Sequence, residues 1–105
     1  MKDWENMNKI ISYIGFAIKS NNCIAGQTPL KKTKKHLNLI LCCNSASDNL
    51  KNLAKNLANK NNCEFIITKL PLESLTNMHD IKIIGITDEN LSRSIINNKE
   101  KINIG

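Results

Sequence analysis

Residues 37–43 read "LNLILCC", an apolar run of strand length that only Asn38 interrupts. A run this apolar predicts a strand that is covered on both faces, because each face of a buried sheet must be shielded from water. We therefore expect a central β-strand at 37–43. Adjacent Cys42 and Cys43 should then point to opposite faces of the sheet, since successive side chains alternate along a strand.

The sequence before this run predicts two helices and a short strand. Apolar residues at helical spacing indicate a helix over 3–20. A very short strand at 23–26 follows and leads into a second helix over 29–36. Thr28 is a good N-cap for that helix, and Pro29 suits its first position.

After the central run, Ser45 or Ser47 can cap a helix that reaches about residue 60. The remaining expected elements are a strand at 63–68, a short helix from Pro71 to about residue 77, a strand at 81–87 and a terminal helix over 88–98. Strands that alternate with helices predict an α/β fold, here a three-layer α-β-α sandwich with a small, mixed, four-stranded sheet. We expect a single domain over 1–97 and a frayed tail at 98–105.

Composition favours an anionic partner. The 105 residues carry a net charge of +6 with a pI near 9.3, and Arg93 is the only arginine, so the positive charge is nearly all lysine. Nucleic acid is the leading class of partner for such a chain. Lysine binds phosphate well as a point charge but reads base edges less well than arginine does.

Several classes of function have no support in the sequence. No apolar run approaches the roughly 20 residues that span a bilayer, so we expect a cytoplasmic protein without membrane contact. The four cysteines lack C-x-x-C spacing, which argues against zinc and favours buried, reduced thiols. No nucleophile motif, P-loop or G-x-G-x-x-G is present. We therefore expect no catalytic residues, no metal and no cofactor.

The stretch "IAGQTPLKKTKK", residues 24–35, concentrates positive charge. On a helix over 29–36, its four lysines would share one arc of roughly 160°. The lysines are Lys31, Lys32, Lys34 and Lys35. Such a face is either the solvated side of a buried helix or a surface that meets phosphate, and periodicity alone does not decide between them.

The order of several segments resembles the ribosomal protein superfamily of the L-seven-Ae and L-thirty-e type, in particular its small bacterial members. The similar segments lie within about residues 10–96. They are the helical "IGFAIKS" before a short strand, the glycine of "AGQTPLKK" before a helix, the strand and turn "LILCCNSASDNLK", and the closing "IIGITD". The resemblance implies the same sandwich fold. It also implies RNA binding, typically to kink-turns, with a ribosome as a further partner.

In that family, a glycine and the start of the following helix enter the RNA groove. Carried over to this chain, the resemblance places Gly26, Gln27, Thr28 and Lys32 at the RNA, and Lys31 and Lys35 belong to the same basic surface. Gly26 and Lys32 match the family pattern, whereas Thr28 and Pro29 replace its Asn-Glu pair. We therefore expect phosphate contacts to outweigh base reading.

A second contact loop of the family falls at residues 68–71. There Lys69 would supply a charge and Leu70 a wedge against an unstacked base. The alternative function is a protein-interaction module with the same fold, and in either case we expect a monomer. RNA binding requires the basic residues to converge on one rim, and a scattered arrangement would favour the protein-interaction module. The residues in question are Gly26, Lys31, Lys32, Lys35 and Lys69.

Overall fold

The structure, a computed structural model, describes residues 2–69, 71–76 and 78–98, with side chains from Lys9 onward. Within these residues it contains five helices and four strands. In chain order they are α1 (Lys2–Lys19), β1 (Cys23–Ala25), α2 (Gln27–Lys32), β2 (Leu39–Cys43), α3 (Asp48–Asn61), β3 (Glu64–Thr68), α4 (Leu72–Thr76), β4 (Ile83–Ile86) and α5 (Glu89–Asn97). In the described part of the chain, no helix combines the length and apolar character that a membrane span requires.

The four strands form one mixed sheet in the order β1-β4-β2-β3. Strand β4 pairs antiparallel with both β1 and β2, whereas β2 and β3 are parallel. Strands β1, β2 and β3 consequently run in the same direction. Their carboxyl ends lie at one end of the sheet and their amino ends at the other.

Side chains alternate between two cores, one on each face of the sheet. Leu39, Leu41 and Cys43 face the core that α1, α4 and α5 cover. Ile40 and Cys42 face the second core, which α2 and α3 cover. This arrangement confirms the predicted α-β-α sandwich with its mixed four-stranded sheet. It also confirms that Cys42 and Cys43 point to opposite faces.

Most boundaries differ from the prediction by one or two residues. Ser47 caps α3, and its side chain accepts a hydrogen bond from the Leu50 N–H. The strands are shorter than predicted, because the ends of the apolar runs lie in loops; β2, for example, begins at Leu39. Asn98 forms the C-cap of α5, and residues 99–105 of the predicted tail lie outside the described part of the chain.

Helix α2 departs most from the prediction of a helix over 29–36. It begins at Gln27 and ends at Lys32, and Thr33 is already extended, with φ −68° and ψ 143°. If a helix ran over 29–36, Leu30 and the residue after its end, Leu37, would lie about 10 Å apart along the helix axis. In the structure, Leu30 and Leu37 instead meet over the same residue of the sheet, so the chain has to leave the helix early.

That residue is Gly85, in the middle of β4. A Cβ atom on Gly85 would lie 2.7 Å from Cδ2 of Leu30 and 3.0 Å from Cδ2 of Leu37. Both leucines are almost completely buried. Gly85 is therefore needed because it lets α2 and the loop after it lie close to the sheet.

We predict opposite effects for two glycine-to-alanine substitutions. Gly85→Ala should lower the free energy of unfolding by about 1–3 kcal/mol, because the added methyl overpacks a filled core. Gly15→Ala should raise it by about 1 kcal/mol, because Gly15 lies inside α1 with open space around it. Urea denaturation of both variants measures the difference. An unchanged Gly85→Ala midpoint would show that the two leucines can move aside freely.

Candidate nucleic-acid interface

The start of α2 is held by backbone contacts. Gly26, its N-cap, has φ 95° and ψ 153°, a conformation that is essentially restricted to glycine. The Gly26 N–H donates to the carbonyl of Ile83 at 3.0 Å, which fixes the loop to β4. No side chain caps α2. The first amides of the helix, those of Gln27 and Thr28, have no acceptor within it.

Thr28 is therefore not the N-cap that the sequence predicts. It is the second residue of α2, and its side chain is exposed. Lys32 lies one turn later and is also exposed, on the side of the helix opposite Leu30. Thr28 and Lys32 thus form a small polar face at positions that the resemblance assigns to RNA contact.

Lys34 and Lys35 are not on α2, so the predicted helical face of four lysines is wrong beyond Lys32. The two residues belong to the loop 33–38, where the Thr33 hydroxyl accepts a hydrogen bond from the Lys35 N–H at 3.1 Å. This short-range bond turns the chain back toward β2. The lysines after the helix therefore point in directions that helical spacing does not predict.

The end of α3 holds the loop 33–38 in place. Asn61 accepts a hydrogen bond from the Leu37 N–H through Oδ1 at 3.0 Å and donates through Nδ2 to the Leu57 carbonyl at 2.8 Å. His36 bonds through Nε2 to the Asn61 carbonyl at 2.8 Å, so this nitrogen carries the hydrogen. His36, the last residue of the helix predicted over 29–36, therefore lies outside α2 and connects the loop to α3.

The predicted site residues lie at both ends of the sheet. Gly26 follows β1 and Lys69 follows β3, so both are at the carboxyl end, on opposite edges of the sheet. Lys35 lies near the amino end of β2, about 13 Å away along the strands. The basic residues therefore do not converge on one rim. Leu70 lies outside the described residues.

The net charge is confined to one layer. Residues 26–62, which form α2, the loop 33–38, β2 and α3, contain seven lysines and a single carboxylate, Asp48. The remainder of the chain carries eight basic and eight acidic residues and is neutral. The whole charge of +6 thus belongs to the face formed by α2, the loop 33–38 and α3, here called the α2–α3 layer.

The lysines of the α2–α3 layer are available to a partner. Among the described residues, the ion pair that forms is Arg93 with Glu89 at 2.7 Å, on α5 in the opposite layer. Six of the seven lysines are exposed, and Lys51 is half-buried. In the described part of the chain, none of the seven lysines forms an ion pair with a carboxylate.

A small polar cluster lies where β2 ends. The Cys43 thiol is 3.0 Å from the Ser45 hydroxyl, and the Lys82 ammonium donates to the same hydroxyl at 3.4 Å. Burial by itself would raise the pKa of Cys43. Hydrogen bonds from the Ser45 side chain and from the backbone of Ser45 and Leu72, with the nearby Lys82 charge, outweigh it and lower this pKa below the usual value.

The other cysteines are shifted the opposite way. Burial raises the pKa of Cys23 and that of Cys42 to about 11, with the neighbouring Cys43 adding to the effect on Cys42. Burial and the nearby Glu64 also raise the pKa of Cys63. These thiols are neutral side chains of the cores. Among the described residues, no three His, Cys, Asp or Glu side chains are grouped so that they could hold a metal ion.

We predict that alkaline pH destabilises the fold through these thiols. In the unfolded chain Cys23 and Cys42 ionise near their usual pKa of about 9, whereas in the folded protein they stay protonated to about 11. The folded state then binds more protons, so stability falls as pH rises between these values. Denaturation across this range should show a steeper loss for the native sequence than for Cys23→Ala/Cys42→Ala. Equal slopes would contradict the prediction.

Three important residues of this region carry no recognisable signal in the sequence. Gly85 sits in an ordinary strand pattern, Asn61 is one of many asparagines, and Lys60 is one of three lysines of α3. Their roles come from contacts with the loop 33–38 and with α2, which are distant in sequence. An asparagine near a helix end is too common a feature to predict such a contact.

Comparison with known proteins supports the fold alone. No protein-family model and no curated protein matches the sequence. A solved structure, described as a protein with unknown function from Bacillus halodurans, is similar with a TM-score of 0.73. It is 15% identical in sequence, and the match covers 88% of this chain and 97% of that one. The sandwich therefore also occurs in a protein with a very different sequence.

We predict that Asn61 stabilises the loop 33–38. Asn61→Ala should lower the free energy of unfolding by about 1–3 kcal/mol, because it leaves the partly buried N–H of Leu37 without its acceptor. Asn59→Ala, an exposed position on the same helix, is the matched control and should change stability by less than about 0.5 kcal/mol. Equal effects of the two variants in urea denaturation would rule out this role.

Proposed function

We propose that the protein is a non-catalytic RNA-binding protein that contacts structured RNA through the α2–α3 layer. The observation that carries the proposal is the confinement of the whole net charge of +6 to this layer, with Asp48 as its single carboxylate. A polyanion that approaches this face meets seven lysines and a single carboxylate. Counterion release would then favour its binding.

The extent of the charged layer favours a polymer over a small ligand. Helix α3 alone is roughly 21 Å long, and Lys51, Lys55 and Lys60 are distributed along it. The lysines of α2 and of the loop 33–38 lie beside it. A single compact anion could not contact all of these positions at once, whereas successive phosphates of an RNA strand could.

The proposal gives the start of α2 a positioning role. The amides of Gln27 and Thr28, which have no acceptor within the helix, would meet one phosphate, and Lys32 would meet another. Gly26 lets the RNA backbone approach closely at this point. Lys69, at the carboxyl end of β3, would extend the interface, although Asp48 and Glu73 at the same end of the sheet reduce the local positive charge.

The resemblance to the L-seven-Ae and L-thirty-e superfamily favours a kink-turn as the RNA that the protein binds. It also makes association with the ribosome or with translation part of the proposal. The protein would act as a monomer in the cytoplasm, where its four free cysteines stay reduced. Because Thr28 and Pro29 occupy the positions of the family's Asn-Glu pair, phosphate contacts would supply most of the affinity.

The proposal is tested by titration with a kink-turn RNA, an unkinked duplex of equal length and a single strand, at two salt concentrations. The kink-turn should bind most tightly. With four to six phosphate contacts, log Kd should rise with log salt with a slope of roughly 3–5. Lys32→Ala should weaken binding and lower this slope by about one unit. Lys9→Ala on α1, an exposed lysine of the opposite layer, should leave both unchanged.

Two results would count against the proposal. Equal binding of all three RNAs would leave only a non-specific basic surface, and no binding at low salt would reject RNA as the partner. A Thr28→Asn/Pro29→Glu variant restores the family pattern at the start of α2 and should gain preference for the kink-turn. If it gains none, the start of α2 does not read the RNA in the way the resemblance implies.

The second candidate function is a protein-interaction module. Two observations favour it: the predicted site residues do not converge on one rim, and the opposite layer exposes apolar side chains. On α1, Phe16 is 60% exposed and Ile11 is 38% exposed. If no RNA binds, Phe16→Ser should abolish association with a protein partner, whereas Lys32→Ala should leave that association intact.

A further inference from the structure

A cavity of about 430 Å³ opens between the loop 33–38 and the last turns of α3. Its floor is apolar and includes the buried side chains of Leu30 and Leu37. Its walls carry four lysines, namely Lys31, Lys34, Lys35 and Lys60. This volume is within the usual range for small-molecule sites, and it lies at the end of the sheet opposite Gly26.

The lysine ammonium groups are not needed by most of the carbonyls at the end of α3. Lysines near the end of a helix commonly donate to its last carbonyls, but here the carbonyls of Leu57, Ala58, Asn59 and Asn61 already have other donors. Asn62 N–H donates to the carbonyls of Ala58 and Asn59, and the Asn61 side chain donates to that of Leu57. His36 donates a hydrogen bond to the Asn61 carbonyl through Nε2. Among the described residues, none of the four ammonium groups forms an observed ion pair, and all four lysines are exposed to solvent.

The walls of the cavity are held in place before any ligand binds. Asn61 holds the Leu37 N–H, and the Thr33 hydroxyl holds the Lys35 N–H. None of the four lysines forms an ion pair with a carboxylate in the described part of the chain. The backbone of the loop 33–38 is thus ordered before binding, so an anion would have to order only the lysine side chains.

We propose that this cavity binds a small phosphate compound with at least two linked phosphates. One orthophosphate carries a charge of about −1.5 to −2 near neutral pH, which is too little to balance four ammonium groups. Linked phosphates place more charge in the same small volume. Apart from the His36 imidazole no ring lines the cavity, so recognition rests on the phosphates and not on the stacking of a base. The four lysines also belong to the proposed RNA-binding layer, but the small-ligand site does not require that RNA binds there.

The test is calorimetric titration of the full chain with pyrophosphate and tripolyphosphate, with orthophosphate and sulfate as weaker anions. Pyrophosphate should bind at one site, at least tenfold more tightly than orthophosphate. Lys34→Gln/Lys35→Gln should weaken its binding about tenfold or more, because two charged hydrogen-bond donors are lost. Lys51→Gln/Lys55→Gln removes the same charge from the same layer outside the cavity and should change the affinity less than about threefold.

Circular dichroism and urea denaturation establish that both double variants are folded, as expected because Lys34, Lys35 and Lys55 are exposed and Lys51 is only half-buried. Equal weakening by the two double variants would show diffuse attraction to the α2–α3 layer and would overturn the proposal. Absence of pyrophosphate binding at low salt would also overturn it.

RNA titrations with the same variants separate this proposal from the RNA-binding one. If Lys34→Gln/Lys35→Gln loses pyrophosphate while Lys51→Gln/Lys55→Gln keeps it, the cavity is a small-ligand site whether or not any RNA binds. If pyrophosphate fails to bind and Lys34→Gln/Lys35→Gln weakens only RNA, the four lysines are part of the RNA interface and the small-ligand site does not exist.

Discussion

The close approach of Leu30 and Leu37 to Gly85 is the constraint on which the rest of the structure depends. Strand β4 lies inside the sheet and pairs with both β1 and β2. Gly85, in the middle of this strand, faces the core below α2. Because Gly85 has no Cβ, Leu30 of the helix and Leu37 of the loop can both pack against it. Helix α2 is thereby seated over β4, and its length is limited to six residues.

This early end of α2 determines where the lysines lie. After Lys32 the chain turns back toward β2, and the side chain of Asn61 holds the returning loop at the end of α3. Lys31, Lys34 and Lys35 consequently gather with Lys60 around a cavity. Only Lys32 remains beside the exposed Thr28. A continuous helix over 29–36 would instead have spread the four lysines of residues 31–35 over one arc of its surface.

The two outer layers differ in what they offer a partner. The α2–α3 layer carries the entire net charge, whereas the layer of α1, α4 and α5 is electrically balanced and exposes Phe16. The sheet separates the two surfaces. An anion and an apolar partner could therefore bind at the same time without competing for the same residues.

The sequence by itself determined the layers of this protein: the apolar run at 37–43 predicted the central strand, and the alternating patterns around it predicted the sandwich and the opposite orientation of Cys42 and Cys43. It also determined the net charge, since the number of lysines does not depend on how the chain folds. Only the tertiary structure decided where α2 ends and which lysines become neighbours. Periodicity reports which face of a local segment is buried, but the contacts of Leu30 and Leu37 with Gly85 join segments far apart in the chain. Such contacts override local helical spacing because burying two leucines in a filled core stabilises the fold more than one further turn of exposed helix does.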